Sequence, residues 1–179
     1  MVKKNSVFIA SSIDNYIADK KGGIDWLQMV PNPTGDDMGY FDFINSVDAL
    51  IMGRNTFETV CGFDIEWPYK KPVFVLSNTL NKIPENLNGK IFLVNGLLTE
   101  IIDFINNKGY YKLYIDGGTT IQSFLKENLI DEMIITTIPI LLGGGASLFT
   151  EIPKEMKFEL INSKTFLNQI TQNHYKRIN

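Results

Sequence analysis

Residues 48–60, DALIMGRNTFETV, change character halfway along. Residues 49–52 form an uninterrupted apolar run of strand length, as expected for a strand buried on both faces. Gly53 and Arg54 follow, and residues 55–60 have the spacing of a short helix. Such a seam brings unpaired backbone N–H groups, a partial positive charge and the Arg54 guanidinium to one point, which suits a phosphate. A capped turn with Arg54 in solvent accounts for the same letters, so the seam alone leaves both readings open.

Working outward, strands are predicted at residues 7–10, in KPVFVLSN, KIFLVNG and KLYIDGG, and late in the chain in DEMIITTIPIL and FLNQITQNHYKRI. Helical spacing appears in LLTEIIDFINNKG, with Leu98, Ile101, Ile102 and Ile105 on one face, and in TTIQSFLKENL, with Ile121, Phe124 and Leu125 inward. Asp36 is a candidate N-cap for a helix through DMGYFDFINS, with Met38, Phe41 and Ile44 on its apolar face. Strands alternating with helices predict one α/β domain over residues 1–179. Its sheet is mostly parallel, covered by helices on both faces, with an antiparallel C-terminal edge strand.

The composition narrows the function classes. Apolar residues make up 44% and charged residues 21%, as in ordinary globular domains. A net charge of -3 argues against a nucleic-acid or anionic-membrane surface. One cysteine and one histidine leave no basis for a disulfide, a Cys- or His-based metal site or a His-based triad. With no signal-peptide pattern and no long apolar span, the expectation is a cytoplasmic protein binding a small molecule. Cys61 reads as a packed side chain and His174 as a surface residue on a strand.

In open α/β sheets, ligands bind beyond the carboxyl ends of the strands. Besides Gly53-Arg54-Asn55-Thr56, two more predicted strand ends carry suitable groups. Leu76-Ser77-Asn78 offers a hydroxyl and an amide, although Ser and Asn also favour plain turns. Asp116-Gly117-Gly118-Thr119-Thr120 repeats the strand-glycine-helix pattern. Neither G-x-G-x-x-G nor a Walker A lysine is present.

Together, FIASSIDNYIA, IDWL, IMGRNTFE, KPVFVLSN, LYIDGGTTIQSFL and DEMIITTIPILLGGG resemble, in order and spacing, the dihydrofolate reductase-like superfamily. PILLGGGASLF and WPYKKPVFVLSN resemble its riboflavin-pathway branch, the RibD C-terminal domain, and small standalone bacterial proteins related to it. The resemblance implies an NADPH site. Ala10 and Ile17 would lie near the nicotinamide, and Gly53, Arg54, Asn55 and Thr56 would hold phosphates. Leu76, Ser77 and Asn78 would border the adenosine 2′-phosphate, and Gly117, Gly118, Thr119 and Thr120 would form the turn beneath the pyrophosphate. The family has a cis peptide in that turn, and Asp116 stands where many dihydrofolate reductases have the first of three glycines.

On the substrate side the resemblance implies Asp37 as the acid that anchors and protonates a heterocycle, with Asp36 able to exchange roles with it. It further implies Phe41 as a ring wall, Thr136 as support for the acid, and a related role for Trp26. The first residues of GDDMG equally suit a solvated helix cap. The implied activity is an NADPH-dependent reductase, of the CH–NH or CH–OH oxidoreductases, acting on a pteridine or a ribosylated aminopyrimidine phosphate of riboflavin biosynthesis. The implied assembly is a homodimer. An authentic dihydrofolate reductase and a non-catalytic nucleotide- or pterin-binding protein are the alternatives. Ser77 and Asn78 bring no cation, so these residues leave NADPH and NADH open.

Overall fold

A computed structural model describes residues 2–178. The apolar runs become strands β1 (Lys4–Ser12), β3 (Ala49–Gly53), β4 (Val73–Leu76), β5 (Ile91–Val94), β6 (Lys112–Asp116) and β7 (Glu132–Ile138). Two antiparallel strands, β9 (Phe158–Phe166) and β10 (Ile170–Arg177), complete an eight-stranded sheet of order β5-β4-β3-β6-β1-β7-β10-β9. All pairings from β5 to β7 are parallel, while β10 pairs antiparallel with both β7 and β9. A separate pair joins β2 (Tyr16–Ala18) to β8 (Ala146–Ser147).

Parallel strands need crossovers, and here helices supply them on both faces. Helices α3 (Leu98–Asn107) and α4 (Gly118–Lys126) bury Ile101, Ile105, Ile121 and Phe124 against Ile51, Phe74 and Ile115. On the other face, α1 (Tyr40–Ser46) and α2 (Arg54–Cys61) set Phe43 and Phe57 against Leu50, Met52, Val75 and Tyr114. After β3 the chain moves outward to β4; after β6 it crosses β1 to reach β7. The neighbouring strands β3 and β6 therefore send their helices to opposite faces. This is the switch point at which such sheets open a crevice.

Three sequence expectations change. The first helix begins at Tyr40, because Met38 and Gly39 adopt left-handed backbone (φ 54° and 84°) that a helix cannot continue. Its buried residue is Phe43, and Phe41 is 67% exposed. At the other terminus, the expected strand at 166–178 begins in a turn. Leu167 and Asn168 both have positive φ, the backbone of a tight hairpin, and connect β9 to β10. Strand β9 is mostly exposed, so its sequence FELINSKTF lacks the apolar run that marks the inner strands. Finally, Cys61 ends α2 exposed rather than packed. Among the described residues, no helix is long and apolar enough to cross a membrane.

Phe74 is fully buried and stacks on Phe92 with ring centroids 5.2 Å apart. Phe74→Ala is expected to cost about 3–5 kcal/mol in urea unfolding. Leu160→Ala, at a position 54% exposed on β9, is expected to change stability by less than about 0.5 kcal/mol.

Candidate functional site

A cleft of about 960 Å³ opens beyond the carboxyl ends of the parallel strands. It lies at the upper end of the range for small-molecule and cofactor sites. Its lining includes Ala10, Ile17, Gly53, Arg54, Asn55, Thr56, Leu76, Ser77, Asn78, Gly117, Gly118, Thr119 and Thr120, so every residue expected on the cofactor side meets in one place.

The two glycine seams interlock at its floor. Met52 pairs with Asp116 across β3 and β6, which sets Gly53 beside Gly117. A Cβ on Gly117 would lie 2.2 Å from Thr56 Oγ1, and one on Gly53 would lie 3.0 Å from Thr120 Oγ1. Each seam thus uses its glycine to receive the threonine three residues past the other seam's glycine. Gly117 also holds φ 87°, a region that side chains with a Cβ avoid. Among the described residues no cis peptide occurs; the turn is made by Gly117's left-handed backbone with Asp116 Oδ1 accepting the Gly117 N–H at 2.8 Å.

Neither α2 nor α4 has a side-chain cap at its N-terminus. Their first N–H groups are free of side-chain partners and face the cleft, as a phosphate requires. Arg54 leans across the end of β4: Nη1 donates to Thr79 Oγ1 at 2.9 Å, and Nε sits 3.4 Å from Glu58. The guanidinium therefore stands beside Ser77 and Asn78, supplying the cation those residues lack. Ser77 Oγ accepts the N–H groups of Thr79 and Leu80, which fixes that turn.

The wall beside β1 is held by a clasp. Asp14 accepts Ser12 Oγ (2.6 Å) and the N–H groups of Leu142 and Gly143 (3.1 and 2.8 Å), and these bonds hold its carboxyl at about 2. Strand β8 pairs with β2, and Gly145 lets them approach, since a Cβ there would lie 2.1 Å from the Ala18 carbonyl oxygen. Gln122 Nε2 donates to the Ser147 carbonyl, tying the clasp to α4. Ile17 is thereby seated against Gly118.

The residues expected on the substrate side do not converge. The exposed Asp37 accepts the N–H groups of Gly39 and Phe41 (2.9 and 2.7 Å) and so caps the start of α1. Asp36 is likewise exposed, with its carboxylate on the Met38 N–H. Thr136 is buried and supports this loop through an intermediary: Gln172 Nε2 donates both to Thr136 Oγ1 and to the Met38 carbonyl. Trp26 is buried beside Val30, Ile138 and Ile170, and its neighbours Ile24 and Leu27 line the cleft in its place.

Two acids line the cleft among the described residues, Glu127 just past α4 and, at the tip of β6, Asp116. Burial pushes its carboxyl up to about 6, partly offset by the Gly117 N–H and the Tyr114 hydroxyl. That hydroxyl donates to the Phe8 carbonyl at 2.9 Å. Burial, with the charge of Asp116 adding to it, holds the phenols of Tyr40 and Tyr69 above the usual range, Tyr40 at about 12. The sequence signal for this acid was its place in the glycine turn, where it displaces a glycine of many dihydrofolate reductases.

A parallel sheet with this strand order, an antiparallel C-terminal hairpin and a cleft at its switch point define a dihydrofolate reductase-like fold. The fold is shared with the dihydrofolate reductase of Enterococcus faecalis, solved with NADP(H): TM-score 0.65, 17% identity, 98% of this chain and 97% of that one. The chain belongs to the RibD C-terminal domain family, whose model matches residues 4–172. A solved Shewanella sp. PV-4 protein linked by name to riboflavin biosynthesis is 54% identical, with a TM-score of 0.96 over 98% of this chain and 99% of that one. The uncharacterized Bacillus subtilis protein YwjB is 35% identical over 180 residues, 99% of each chain.

Gly117→Ala is expected to cost about 2 kcal/mol or more, from the positive φ together with the clash on Thr56. Gly53→Ala, with ordinary φ and a looser contact, should cost less. In a double-mutant cycle of urea unfolding, Thr56→Ala should relieve part of the Gly117→Ala penalty but none of a Gly53→Ala penalty.

Proposed function

We propose that the chain acts as one domain, an NADPH-dependent reductase of a flat nitrogen heterocycle of the pteridine or aminopyrimidine class. The observation that carries this reading is one cleft holding two uncapped, glycine-marked helix starts and Arg54 towards β4, with the half-buried acid Asp116 towards β1. Backbone N–H groups of α2 and α4 would receive the pyrophosphate, and Arg54 with Ser77 and Asn78 the 2′-phosphate. That cation favours NADPH over NADH. Ala10, Ile17 and the clasp would hold the nicotinamide and keep water from it.

When bound, the nicotinamide supplies a hydride, and the reduced C=N or C=O needs a proton on its heteroatom. Asp116 is the group suited to hold that proton. With its carboxyl at about 6, an appreciable share is protonated near neutrality, and the residue lines the cleft. The role expected of Asp37 passes in this reading to Asp116, while Asp37 shapes the loop ahead of α1.

Fluorescence titration tests the cofactor half. NADPH should bind, and Arg54→Gln should weaken it about tenfold, the equivalent of about 1.4 kcal/mol, while changing NADH binding little. If neither dinucleotide binds the wild-type chain, the reductase reading is wrong.

A pH series tests the acid. The rate of NADPH oxidation should fall as pH rises through about 6, and Asp116→Asn should lose both the rate and that dependence. Stability gives an independent check. The folded carboxyl titrates above its unfolded value of about 3.9, so the native state keeps a proton that the unfolded chain releases. That stabilisation is lost as pH rises towards and through about 6. Asp116→Asn should therefore melt above wild type at pH 8, with the gap narrowing towards pH 4.

A further inference from the structure

The distribution of charge in the cleft says which substrates it admits, granted the reductase reading. Among the described lining residues, Arg54 is the one cation, and Asp116 and Glu127 are the acids. Arg54 is committed to the β4 side by its bond to Thr79 and its ion pair with Glu58. The opposite end, where a substrate must stack on a nicotinamide beside β1, is built from Ala10, Ile24 and Leu27 around Asp116. Lys70 and Lys71 follow Tyr69 in the chain but do not line the cleft.

A phosphate dianion carried to that end would meet a carboxylate and apolar side chains. Desolvating it without a cation is costly, and the like charge of Asp116 adds to the cost. The same surroundings favour the opposite chemistry. Asp116 Oδ1 takes the Gly117 N–H, the Tyr114 hydroxyl donates to the Phe8 carbonyl instead, and among the described residues no donor is hydrogen-bonded to Oδ2. An amidine- or amino-substituted ring edge supplies two parallel N–H groups to a carboxylate.

We infer that the substrate is an unphosphorylated heterocycle presenting an N–H-donating edge to Asp116, and that phosphoribosyl heterocycles are discriminated against. The test compares 5-amino-6-ribosylaminouracil with its 5′-phosphate, and 2,4-diaminopteridine as a third probe. Each is titrated into the NADPH complex by tryptophan fluorescence, after NADPH binding has been measured alone. The unphosphorylated uracil should bind at least about tenfold tighter than its phosphate, which corresponds to about 1.4 kcal/mol. In Asp116→Asn, checked by thermal melting to be folded, that ratio should shrink and diaminopteridine affinity should drop about tenfold or more.

Equal or tighter binding of the phosphate would overturn the inference, as would failure of all three probes to bind a complex that does take up NADPH. Absence of NADPH binding overturns the reductase reading itself, a result seen before any heterocycle is added.

Discussion

Everything at the cleft depends on the close contact of two strand ends. Gly53 and Gly117 lie side by side on β3 and β6, and each accommodates a threonine from the helix that follows the other. The contact does two things at once. It lets helices leave for opposite faces of the sheet without parting the strands beneath them, and it points both helix starts into the same space. A methyl group at either glycine would push the seams apart. Spacing between two sets of phosphate-facing N–H groups is thus set by the absence of two side chains.

How much of this was legible in the sequence varies with the kind of signal. The inner strands were, because burial on both faces demands apolar runs such as LIM at 50–52 and VFV at 73–75. The residues that meet in the cleft were too, since glycine at a strand-to-helix seam has few other uses and the order of the blocks resembles one superfamily. Strand β9 was not, because a strand at the sheet edge with a solvated surface carries no apolar run. The surroundings of Asp37 were not legible for a related reason. The expected helix through DMGYFDFINS would carry Asp37 in its first turn, whereas the left-handed Met38 and Gly39 shorten it and leave Asp37 exposed, where it caps the backbone.

In the proposed reading the acid moves rather than vanishes. A carboxylate at the tip of β6 occupies a place where a glycine gives many relatives of the fold closer access to the backbone. Sited there, it receives its environment from the sheet and from three tyrosines, and depends little on how α1 is docked. Family membership fixes the scaffold. In the proposed reading, the charge carried by the wall opposite Arg54 is what separates one substrate from another.

Strand β1 lies in the middle of the sheet, yet its two partners come from far along the chain: β6 at Lys112–Asp116 and β7 at Glu132–Ile138. As the polypeptide leaves the ribosome, β1 has two open hydrogen-bonding edges until residues 112–138 have emerged. The clasp around Asp14 waits longer still, for residues 142–147. Such distant pairings are slow to form, and open edges invite other chains. The birth of this protein is therefore its most vulnerable period, and its binding cleft is among the last parts to exist.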